Sequence, residues 1–149
     1  MDIQLGDYTV STDPARLDLP MITQFLAEDS YWARGIPLAV MSKAVEGSLC
    51  FGVYHGNRQV GFARVVTDYA TFGHIMDVFV LPAHRGRDLG KLLMESIMEH
   101  PQLQGFRRWQ LGTEDAHDLY ARHGFTALAH PQRHMEKTDA GVYLRSAKG

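Results

Sequence analysis

Val78-Phe79-Val80-Leu81-Pro82-Ala83-His84-Arg85-Gly86-Arg87-Asp88-Leu89-Gly90-Lys91 is the stretch on which the fold turns. Val78, Phe79 and Val80 read as the end of a strand, and Pro82 stops it because it cannot donate to a ladder. Downstream, Leu89, Leu92, Leu93 and Ile97 repeat at the spacing of one buried helical stripe. A strand therefore feeds a short turn rich in Gly and Arg that opens a helix. The first turn of a helix leaves backbone N–H groups unpaired and carries a partial positive charge. Gly86 and Gly90 remove side chains where an anion would approach the backbone, and Arg85, Arg87 and Lys91 add full charges beside it. The pattern predicts a phosphate or pyrophosphate cradle over residues 85–91. It is neither a P-loop, which needs G-x-x-x-x-G-K-[ST], nor a G-x-G-x-x-G dinucleotide fingerprint.

Working outward, the segment before the stretch reads as an antiparallel meander. Leu49, Phe51 and Val53 alternate, Gly56-Asn57 is a two-residue turn signal, and strands over residues 59–68 and 72–81 follow. Upstream lie a short strand over residues 8–11 and two helices. The first opens at Asp18-Leu19-Pro20, and the second spans residues 37–45. Downstream, residues 109–113 read as a strand. Asp115 is placed to cap a helix carrying Ala116, Leu119, Tyr120 and His123, with Gly124 at its end. Residues 125–128 and 135–138 read as a closing pair of strands. Strand, helix, strand, helix, strand over residues 77–124 requires parallel crossovers, so the class is α/β with a mixed sheet.

Composition narrows the function. The 149 residues, 45% hydrophobic and 21% charged, suit one domain with its own core. Fifteen Lys and Arg against 17 Asp and Glu give a net charge of −2, so no global basic field for nucleic acid exists. The single cysteine, Cys50, excludes a disulfide framework within the chain and a multi-Cys zinc site. Among the eight histidines, His130 and His134 flank Pro131 and form no helical i, i+4 pair, so no metal is expected. The start MDIQLGDYTV has no cationic, apolar leader, and the longest uncharged apolar run, residues 36–41, is too short to span a bilayer. A cytoplasmic chain with no membrane partner is expected.

Arg85-Gly86-Arg87-Asp88-Leu89-Gly90 behind a Val-Phe-Val strand resembles the acyl-CoA motif of the GNAT (GCN5-related) N-acyltransferase superfamily. Leu119-Tyr120-Ala121-Arg122-His123-Gly124-Phe125 resembles that family's second mark, and the two occur in the family's order. The likeness covers about residues 8–128. It implies one domain over residues 1–149, with a splayed mixed β-sheet flanked by helices on both faces. It also implies acetyl-CoA as co-substrate. Backbone groups of Val78, Phe79 and Val80 would pair with the pantetheine arm, and amides of Arg85, Gly86, Arg87, Asp88, Leu89, Gly90 and Lys91 would hold the pyrophosphate. Tyr120 would protonate the departing thiolate. The stricter family pattern has Gly where Asp88 stands. A homodimer through a sheet edge is left open.

The implied reaction is acetyl transfer to a primary amine of a small molecule by direct attack in a ternary complex; the alternative is a non-catalytic acyl-CoA-binding or regulatory module on the same fold. An amine with pKa ~10.4 must lose a proton before it attacks. A carboxylate or His would take it. The candidates are Asp77, an acid inside an apolar strand, and His74, near where relatives place a catalytic carboxylate; Asp115 and His117 are further ones. Strict alternation puts His74 and Asp77 on opposite faces, and a bulge between them would unite them. A strand N–H near Phe79 is the expected donor to the carbonyl oxygen. For the acceptor, Tyr31 and Trp32, preceded by Glu28 and Asp29, face a wall expected to include Phe51, Arg64, Asp68 and Tyr69. Aromatics with carboxylates suit a cationic amine; Arg34 and Arg64 would instead suit an acceptor carboxylate.

Overall fold

The computed structural model describes residues 2–146. Six strands form one sheet in sequential order: β1 (Ile3–Leu5), β2 (Tyr8–Ser11), β3 (Leu49–His55), β4 (Arg58–Thr67), β5 (Phe72–Val80) and β6 (Arg108–Leu111). The first five pair antiparallel. β6 joins β5 in parallel, with Phe72 opposite Arg108 and Ile75 opposite Leu111. A ring from β6 is accommodated because Gly73 has no side chain: a Cβ there would stand 2.6 Å from the Trp109 ring.

Helices cover both faces. α1 (Leu19–Asp29) and α2 (Leu38–Glu46) bury Ile22, Phe25, Leu26 and Met41 against Cys50, Phe62 and Phe79 of the sheet. Phe25 stacks on Phe79 with ring centroids 4.0 Å apart. α3 (Leu89–Glu99) and α4 (His117–Ala121) close the other face, where Leu92, Leu93, Ile97 and Tyr120 meet Phe51, Val65 and Ile75. The stripe of α3 buries as its periodicity requires. Asp18 caps α1 by accepting from the Met21 N–H, and Pro20 sits within that first turn.

The structure departs from the sequence reading at both ends. Ile3–Leu5 is an additional strand, turned back by Gly6 at φ +58°. Residues 125–128 and 135–138 form no strands. Leu128 is exposed and Met135 wholly so, and Pro131 opens a single 3-10 turn between them. These segments bury too little apolar surface to offset the entropy of ordering a pair. The chain instead runs on to α5 (Val142–Ser146), whose Leu144 lies against Gly35 in the α1–α2 connection. Asp115 caps no helix. The N-cap of α4 is Ala116, and Thr113 Oγ1 accepts from the N–H groups of Asp115 and Ala116. No described helix is long and apolar enough to cross a membrane.

Candidate active site

The turn from β5 into α3 has the backbone arrangement expected of the anion cradle. Among the described residues no backbone N–H of residues 86–91 has a hydrogen-bond partner, whereas that of Arg85, expected in the cradle, is spent on the Pro82 C=O at 3.3 Å; the ladder resumes with Leu92 N–H to Asp88 C=O. Gly86 holds φ +77° with open space where a Cβ would be, so the backbone is approachable there. Arg85, Gly86, Asp88, Leu89, Gly90 and Lys91 line a cavity of about 290 Å³ together with Val80, His84, Leu119 and Arg122. Arg87 stands outside this lining. His84 and Arg122 are contributions that the motif by itself did not reveal. Burial, then the charges of His55, Arg87 and Arg58, push the His84 pKa down, and the Tyr8 hydroxyl lies 2.9 Å from its Nδ1.

β5 leads from this cradle to a second cavity. Its pairing with β6 stops at Ile75 and Leu111, so residues 76–80 have β4 on one side and no strand on the other. That opening is the splay expected of the sheet. Alongside it lies a cavity of about 440 Å³, bounded by His74 to Val78 of β5, the β6–α4 loop from Gly112 to Ala116, Tyr31, Trp32 and Tyr120.

A bulge decides which side chains enter this cavity. Phe62 pairs with Phe79 and Arg64 with Met76, so Ala63 opposes two residues, Asp77 and Val78. Asp77 absorbs the extra residue at φ +57°. The alternation resets, and Asp77 falls on the face that also carries His74, Met76 and Arg64. Its carboxylate is buried and fully engaged: Oδ1 accepts from the Trp32 indole N–H and Oδ2 from Arg64 Nε, both at 2.8 Å. Arg64 continues to Ser48 Oγ at 3.1 Å. Asp77 thus ties the α1–α2 connection to the bulge. Tyr31 adds a second tie, its hydroxyl accepting from the Glu114 N–H at 3.0 Å.

His74 and Tyr120 hold protonation states suited to proton transfer. Burial, reinforced by the Arg64 charge, lowers the His74 pKa, so the ring is neutral at pH 7. Tyr120 is buried at 7% exposure, and burial, with Tyr31 and Asp115 nearby, pushes its pKa up to about 12. Its hydroxyl makes no hydrogen bond among the described residues. The other expected positions lie elsewhere. Tyr69 is exposed in the β4–β5 turn at φ +62°, and Asp68 folds that turn by accepting from Ala70, Thr71 and Phe72, which holds its pKa below the usual carboxylate range. Phe51 is core, Arg64 is committed to Asp77, and Glu28, Asp29, Arg34 and His117 stand outside the cavity. Phe79 turns its ring into the α1 face. Residues that the sequence reading missed include Met76, Thr113 and Glu114. The signal for Glu114 is its place just past the C-terminal end of a parallel strand, where open α/β sheets bind ligands.

The model of the acetyltransferase (GNAT) domain matches residues 46–127, which hold the cradle, the bulge and Tyr120. The chain belongs to the GNAT acetyltransferase family. A GNAT-family protein of Xanthomonas campestris is 53% identical in sequence, with a TM-score of 0.89 over 91% of this chain and 96% of that one. A protein of Gibberella zeae that bears an acetyltransferase name is 34% identical, the match covering 78% of this chain and 77% of that protein. An acetyltransferase structure from Clostridium acetobutylicum, holding acetyl-CoA, shares the fold at a TM-score of 0.62 and 12% identity, covering 88% of this chain and 94% of that one. Acetyl transfer is therefore the chemistry of this GNAT chain's family.

Asp88 departs from the GNAT pattern in a way that the backbone explains. It is the N-cap of α3 at φ +62°, the left-handed region that Gly occupies freely and that Asp tolerates better than most residues. Its carboxylate makes no capping bond, and the residue lines the cradle. Replacing Asp88 by Gly is expected to tighten coenzyme A binding about fivefold, the effect of removing one like charge at ~4 Å through water. Calorimetric titration of both proteins checks this. An unchanged affinity would mean that the carboxylate points to solvent when the cradle is filled.

Proposed function

We propose that the protein transfers the acetyl group of acetyl-CoA to a primary amine of a small molecule, by direct attack with both substrates bound. The observation that carries this reading is the open edge of β5, which runs from the cradle to a cavity that His74 and Tyr120 both line. Amides of residues 86–91 would hold the pyrophosphate, and backbone groups of Val78 to Val80 the pantetheine arm. Acetyl-CoA supplies an activated thioester carbonyl and a thiolate leaving group.

His74 takes the proton from the acceptor ammonium, freeing the nitrogen lone pair. A strand N–H near Phe79 donates to the carbonyl oxygen as it gains charge. As the C–N bond forms and the C–S bond breaks, Tyr120 gives its proton to sulfur. The nitrogen sheds its second proton to solvent on becoming the amide, and solvent restores the proton to Tyr120 and removes one from His74 between turnovers. Asp77 has both oxygens engaged, so its part is to position Trp32 and the bulge rather than to take the proton.

Protein mixed with acetyl-CoA and a panel of primary amines is expected to release free thiol, with none released when the amine is omitted. The profile of kcat/KM against pH is expected to fall on the acid side below the ordinary His value of ~6.5, because His74 must be neutral to act and its pKa is lowered. Replacing His74 by Gln should remove that limb. An acid limb unchanged in the variant would assign the base elsewhere.

A further inference from the structure

The charges lining the larger cavity are unbalanced. Its ionisable members are His74, Asp77, Glu114, Asp115 and the two tyrosines, and none of the lining side chains is Lys or Arg. Arg64, the nearby guanidinium, is neutralised by Asp77 and is 12% exposed. Among the described residues, Glu114 and Asp115 make no ion pair, and neither carboxylate is used as a helix cap. Both stand on the loop whose backbone is fastened to the Tyr31 hydroxyl, and the rings of Tyr31 and Trp32, which line the same cavity, meet edge to face at 4.9 Å. Tyr120, more than nine-tenths buried, lines the same space, and its hydroxyl has no partner among the described residues.

An amine that attacks must be uncharged at that moment, so the attacking nitrogen has no lasting use for two carboxylates. A second nitrogen that stays protonated does. We propose that the acceptor is an organic dication of the α,ω-diamine class, one nitrogen delivered to His74 and the other held by Glu114 and Asp115, with its hydrocarbon chain along Trp32 and Met76. This deepens the acetyltransferase reading and rests on it. The aromatic faces of Tyr31 and Trp32 reinforce the choice of a cation. An acceptor carrying a carboxylate is disfavoured, since it would meet two like charges and no free guanidinium.

The test uses 1,4-diaminobutane, 1-aminobutane and 4-aminobutanoate, which share a four-carbon chain and differ at the far end. The diamine is expected to show a kcat/KM about tenfold above the monoamine, carried by KM, with the amino acid slowest. The Glu114→Gln/Asp115→Asn double variant should bring the diamine-to-monoamine ratio close to one, and added salt should lower it in the unmodified protein. Equal values for diamine and monoamine, preference for the amino acid, or a variant that lowers kcat with KM unchanged would each overturn the proposal. Calorimetry of 1,4-diaminobutane into the coenzyme A-loaded protein separates the two readings. Binding that the double variant loses, without thiol release from any amine, would overturn the transferase reading and keep the cation site. Failure of the diamine to bind would overturn the site, whatever the thiol assay shows.

Discussion

Replacing Tyr120 by Phe is expected to lower kcat by about 10²–10⁴-fold, the usual contribution of a positioned general acid, while leaving coenzyme A affinity unchanged. The substitution deletes one oxygen and keeps the ring, which packs in the core on the α3 side and meets Phe125 edge to face at 6.2 Å. The fold should therefore survive, and the effect should read out as chemistry. Burial holds the phenol's pKa at about 12, well above a free thiol at ~8.5. The same desolvation acts on the departing sulfur, raising its affinity for a proton and closing much of that gap. Thiol-release kinetics with a saturating amine, beside a binding titration, decide the matter. A variant with undiminished kcat would remove Tyr120 from the reaction and leave it as a core residue.

The second large effect concerns stability. Replacing Arg64 by Ala leaves the buried Asp77 carboxylate with its Trp32 partner but without its counter-ion. Breaking one side of a buried pair costs about 3–5 kcal/mol. For a chain of this size, that corresponds to a fall in Tm of roughly 10 °C. A second substitution, Asp77→Asn, removes the orphaned charge and should restore part of the loss, because the amide can still meet the Trp32 indole. A small loss for Arg64→Ala, or no recovery in the double variant, would show that solvent reaches the carboxylate. The effect is local in origin but spreads: Arg64 also reaches Ser48 beyond the end of α2, and Asp77 anchors the α1–α2 connection. Weakened acceptor binding should accompany the loss of stability.

Part of this site is legible in the local sequence, and part only through the likeness of its motifs to those of the family. The cradle follows from glycines and cations at a helix start, since those are local backbone properties. Tyr120 was named from its motif, and the structure places it on the cavity. The alternation of β5 gave no way to decide between His74 and Asp77, because a bulge changes face by one residue and its cause lies in pairing with β4. Asp115 was read as a cap from its position, and the structure gives that task to Thr113, which frees the carboxylate. The strands expected beyond Gly124 fail for the opposite reason: their local pattern is adequate, but no neighbouring strand or core receives them.

The amino-acid sequence by itself determined the strand–turn–helix unit and the meander before it. Each of these depends on contacts within about a dozen residues, where periodicity and turn chemistry act directly. Only the tertiary structure decided that Arg64 is spent on Asp77, that Trp32 and Tyr31 close the cavity, and that Glu114 and Asp115 line it without an ion pair among the described residues. Those facts come from residues 13 to 83 positions apart. Charge neutralisation and burial depend on distance in space, which no run of neighbouring residues records.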